Sequence, residues 1–170
     1  MIAARCQASL PVGPCMLADD PMDITAVRTL ISEARQCAVA MLDNGTFIQG
    51  ELPGVRMDDA TRLAAKAVCS ALIGTKHDII HELFELDELL RGRATNDRIA
   101  SIVDGIIRWL RDTIQQMVDL IQRLETMADT QPDTSIAFTL FAESAVNIIK
   151  PFNRAEAAAK LLFDSDSIGP

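Results

Sequence analysis

The residues of this chain best suited to chemistry are gathered in one short run, His77-Asp78-Ile79-Ile80-His81-Glu82, with Glu85 and Glu88 following. Two histidines four apart stand one above the other on a helix and can share a metal ion, and Glu85 lies one further turn along. Their direction weakens that reading. At about 100° per residue, His77 and His81 point away from the Ile79, Leu83, Leu86 and Leu90 stripe that such a helix would bury. His77, His81 and Glu85 are therefore only weak metal candidates, open to water or to a partner. A di-iron bundle needs paired Glu-x-x-His motifs facing inward, and Asp78-x-x-His81 supplies a single outward near miss.

Other chemistries find less. Neither histidine adjoins a Ser or Cys in sequence, and there is no Gly-x-Ser-x-Gly elbow or glycine-rich phosphate loop. Cys6, Cys15, Cys37 and Cys69 form no CxxC pair, and a chain able to build a large core needs no disulfide framework. Residues 65–84 can be laid on a helix-turn-helix template about Gly74. The would-be recognition helix then carries Asp78, Glu82, Glu85, Asp87 and Glu88 against Lys76 and Arg91, which would repel a phosphate backbone. No catalytic or cofactor-binding residue is assigned, no cofactor is expected, and the chain reads as non-enzymatic.

The elements that would carry these residues are helical throughout. From Asn96 to Ala128 apolar residues step by three and four (Ile99, Val103, Ile106, Leu110, Met117, Leu120, Leu124), a rod of about 50 Å with one buried face. Before it, Asp20 and Pro21 open a first helix that Asn44-Gly45 should stop. Thr46 to Met57 reads as a greasy loop containing Phe47 and Leu52. Asp58 caps a second helix, which Gly74 interrupts, with Thr75 and Asp78 restarting it as a capping box. After a tight link at Asp129–Pro132 a further helix starts near Asp133, breaks at Pro151 and restarts at Asn153. The expected fold is all-α, an antiparallel bundle of four rods. Two of these are broken at Gly74 and Pro151, giving five to six helices in all. Residues 1–19 read as a flexible leader, 20–164 as a single bundle domain and 165–170 as a flexible tail.

Composition bounds the function. The 170 residues are 49% apolar, which suits a folded core, and carry a formal charge of −8 with no basic block. Direct binding to nucleic acid or to an anionic membrane is disfavoured, because both need clustered cations. No apolar run reaches the roughly 18–20 residues of a membrane span. The expected role is a cytoplasmic module for protein–protein interaction or self-association into a homo-oligomer, with a basic protein as the complementary partner. Its expected surface comprises His77, His81, Phe84, Glu85 and Glu88 together with Phe47 and Leu52 of the preceding loop. Three other classes stay open: a small-molecule or metal-binding bundle, an acidic regulator of a DNA-binding protein, and a secreted effector whose export signal is the leader.

Overall fold

A computed structural model of the chain describes residues 23–92, 95–129, 131 and 134–164. These form four helices packed against one another: α1 (Ile24–Glu51), α2 (Asp59–Arg91), α3 (Asn96–Ala128) and α4 (Thr134–Asp164), with a short 3-10 turn at Leu52–Gly54. No strand occurs among the described residues. Each helix lies against two neighbours in the cyclic order α1, α2, α3, α4, and the α2–α3 pair is the least closely packed. The leader, the tail, Asp20, Pro21, Arg93, Ala94, Pro132 and Asp133 lie outside the described residues.

Local chemistry sets the helix starts. Asp23 caps α1, its Oδ1 accepting from the amides of Thr25 and Ala26 at 2.9 and 3.2 Å. Asp58 caps α2 as expected, accepting from the Thr61 amide at 2.9 Å and from the Thr61 hydroxyl at 2.7 Å. The Thr61 bonds hold the Asp58 carboxyl below its ordinary value. Apolar periodicity then sets the buried faces. Leu110 and Met117 of α3 are fully buried, with Leu30 and Met41 from α1, Leu72 and Leu83 from α2, and Phe141 from α4.

Three expected breaks do not occur, and each failure has a packing cause. α1 continues through Asn44-Gly45 to Glu51, so most of the expected loop is helix. Gly45 is a contact residue there: a methyl group at that position would lie 2.9 Å from Leu72 Cβ and 3.3 Å from the Cys69 carbonyl oxygen. The extra turns bury Ile48, and one buried isoleucine is worth about 1.5–3 kcal/mol, more than the roughly 1 kcal/mol that a helical glycine costs.

α2 likewise runs unbroken through Gly74. Thr75 does not restart it, since its hydroxyl donates to the Ala71 carbonyl at 2.7 Å within the same helix. α4 runs through Pro151, which is itself buried. A proline inside a helix costs about 3 kcal/mol, and Phe152, Ala155, Ala158, Ala159 and Leu162 beyond it are all buried. The bundle therefore has four helices rather than five or six.

Candidate functional site

The outward side of α2 and the two seams that flank it contain nearly all the residues singled out above. His77 and His81 are exposed, as their helical phase requires. Phe84 is 66% exposed beside them, and Leu63, about six turns before Phe84, is 71% exposed. At about 100° per residue, Leu63, His77, His81, Phe84 and Glu88 fall within roughly 60° of one another. Ile80, also exposed, flanks this row on the α1 side. Glu88 is engaged along its own helix by Arg91 Nη1 at 3.2 Å. Glu85 turns to the other side, where Arg98 Nη2 of α3 meets its Oε1 at 2.7 Å.

Phe47 and Leu52 are not brought to this row. Phe47 is exposed near the end of α1. Gly45 abuts Cys69 and Leu72, so Phe47 lies level with the first third of α2, about 22 Å along the axis from Phe84. Leu52 is 2% exposed and belongs to the core. Its carbonyl oxygen, with that of Val55, accepts from the Arg62 guanidinium at 3.0 and 2.9 Å, which ties the 3-10 turn to the start of α2.

Between α1 and α2 the Gly45 contact closes the stretch beside Cys69 and Leu72, while a shallow cleft of about 700 Å³ opens further along α1, lined by Arg28, Arg35 and Asp43 and by Asp87 of α2. Where α1 meets α4, Arg154 of α4 donates to Glu33 at 2.7 Å and to Gln36 at 3.2 Å. The Cys37 thiol donates to the Ile148 carbonyl at 3.7 Å. Burial pushes the Cys37 thiol up to about 12 and the Cys69 thiol up to about 11, so neither is a ready nucleophile.

The seam between α2 and α3 is different. Its partners run antiparallel, with Thr61 meeting Met127 at one end, Thr75 meeting Thr113 at the centre and Glu85 meeting Arg98 at the other end. At the centre it opens into a cleft of about 550 Å³. Ala71, Gly74, Thr75 and Asp78 line it from α2, and Gly105, Arg108, Trp109, Asp112, Thr113 and Gln116 from α3. A methyl group at Gly74 or Gly105 would meet nothing within 4 Å.

Thr75 and Thr113 are 2% and 4% exposed, and their hydroxyl oxygens lie 3.3 Å apart. A threonine hydroxyl has one proton. That of Thr75 is on the Ala71 carbonyl, so Thr113 donates to Thr75. Neither has a proton left for the cleft, and Thr113 keeps its own lone pairs. Two threonines thirty-eight residues apart carry no periodic signal, so sequence reasoning misses this pair; only the phase of α2 against α3 joins them.

Among the described residues no three His, Cys, Asp or Glu side chains stand close enough to hold a metal ion. None of the described helices is long and apolar enough to cross a membrane. Comparison with known proteins adds no relative: no protein-family model, curated protein or solved structure matches the chain.

Proposed function

We propose that this chain is a non-enzymatic helical docking module that presents the outward row of α2 to another protein or to a second copy of itself. One observation carries the reading: Leu63 and Phe84 stand largely exposed in one row of a helix whose other face is fully committed to the core. Large apolar side chains left in water beside histidine and carboxylate groups are the usual anchors of protein interfaces. The bundle supplies the rigidity that keeps such a row pre-organised for docking.

A photo-crosslinking residue placed at Ser70, on the same row, tests this against one placed at Gln115 on exposed α3. The Ser70 position should give one discrete adduct, and Phe84→Ser should abolish it while the stability of the free protein changes by less than about 0.5 kcal/mol. An adduct of twice the chain mass would identify self-association. Equal labelling from both positions, or labelling indifferent to Phe84→Ser, would remove the docking row.

A further inference from the structure

The cleft between α2 and α3 carries two aspartates and one arginine, Arg108, on its lining. Asp78 and Asp112 line it, and neither carboxylate has a hydrogen-bond or ion-pair partner among the described residues. At its floor the Thr75 and Thr113 protons are both spent, leaving oxygen lone pairs. Arg108, the cation on the lining, pairs through Nη2 with Asp104 on its own helix, and Arg98 further along the seam pairs with Glu85. Gln116 is the one neutral amide on the lining, and Trp109 forms an aromatic wall. A concave site of about 550 Å³, rich in acceptors and walled by an indole, is complementary to a donor-only cation.

The glycines argue in the same direction. Each helix-interior glycine costs about 1 kcal/mol of helix stability relative to alanine. At Gly45 that cost has a packing reason, since no Cβ fits. At Gly74 and Gly105 a Cβ would meet nothing, so no packing contact demands glycine there, and both positions line the cleft.

We propose that this cleft receives an arginine side chain from a basic segment of the docking partner, its guanidinium stacked on Trp109 and bonded by Asp78 and Asp112. Arginine fits better than lysine because its planar fork can stack on the ring and engage a carboxylate through two donors together. The unpaired acidic walls supply the charge complementarity that selects a basic segment over a neutral one. This proposal rests on the docking reading of α2 and adds to it the chemistry of the partner.

Trp109 is the only tryptophan in a chain without tyrosine, so its emission reports on the cleft directly. The probe is a short helical peptide with one central arginine, titrated beside the same peptide carrying citrulline, which has the same shape without the charge. The arginine peptide should shift Trp109 emission saturably, and citrulline should weaken binding by about tenfold or more. Asp78→Asn with Asp112→Asn should weaken it comparably, as should Gly74→Leu, which fills the cleft. Asp43→Asn with Glu125→Gln removes the same charge elsewhere and should change binding by less than about twofold.

Equal losses from the two charge pairs would mean general attraction to an acidic protein and would overturn the proposal. Equal binding of the citrulline peptide, or a silent Trp109, would do the same. Acetyl-arginine amide binding as tightly as the peptide would replace the partner segment with a free small cation. If the cleft stays silent while the Ser70 cross-link and its dependence on Phe84 persist, the cleft assignment falls alone. A lost cross-link with an intact titration would remove the docking row instead.

Discussion

Gly45 and Gly74 are both glycines in the middle of long helices, and they do opposite things. Gly45 lies where α1 and α2 approach so closely that Leu72 Cβ and the Cys69 carbonyl occupy the space of a side chain. Gly74 lines the same cleft as Gly105 of α3, and a Cβ there would meet nothing within 4 Å. Around Gly45 the neighbours are apolar and the nearby thiol of Cys69 is buried. Around Gly74 they are threonine, aspartate, glutamine and tryptophan. At Gly45 the two helices are in contact, and at Gly74 the neighbouring helix leaves room. A residue type alone therefore says little about role; the distance to the neighbouring helix separates a packing glycine from a cleft glycine.

Substitutions at the two glycines and their neighbours test this contrast. The largest expected effect is at the closed seam. Leu72→Ala, removing a fully buried side chain, should destabilise by about 2–5 kcal/mol in denaturant unfolding. A loss below about 1 kcal/mol would mean that the seam collapses freely and is not tightly packed.

Next comes the glycine series, in which the two seams should differ in sign. Gly45→Ala should destabilise by about 1–3 kcal/mol, because backbone and Cβ atoms must shift to admit the methyl group. Gly74→Ala and Gly105→Ala should each stabilise by about 0.5–1 kcal/mol through helix propensity alone. Chemical denaturation of the three variants checks all of this, and a shared sign would erase the distinction drawn between the seams.

The smallest effect at neutral pH concerns the thiols. Burial raises Cys37 and Cys69 above the ordinary thiol value of 9.0 in the folded state, to about 12 and about 11. Raised folded values mean that the folded state holds its thiol protons more tightly than the unfolded chain does. Their stabilisation is therefore complete below about pH 9 and fades as pH rises towards 11 and 12. With Cys6 and Cys15 replaced by Ser, disulfide-exchange labelling at pH 8 should be slow and should accelerate only with unfolding. Rapid labelling of the folded protein would show that the closed seams open on their own.

Much of the fold was legible in advance because burial repeats with the helical period. The stripe from Ile99 to Leu124, the cap at Asp58 and the outward phase of His77, His81 and Phe84 all follow from spacing and local hydrogen bonding. The misread positions share a different character. Asn44-Gly45, Gly74 and Pro151 carry strong local signals for helix termination, and in each case apolar residues beyond the signal gain more by staying in register with the core. Leu52 was misplaced for a related reason: an apolar residue next to Pro and Gly reads as a loop residue, whereas the 3-10 turn pins it inside. In the site, the α2 row was legible as a helical phase. The cleft was not, since Thr75, Asp78, Trp109 and Asp112 come from two helices and meet only when these are placed side by side.

The helical character of the chain, the apolar face of each helix and the outward phase of Phe84 can all be read from spacing, because they depend on the period of one helix and on nothing beyond it. Tertiary structure alone decided whether a glycine or proline ends a helix and which glycines keep a seam open. Those outcomes turn on a balance between a local cost of about 1–3 kcal/mol and burial of comparable size, and burial exists only once the partner helix is in place.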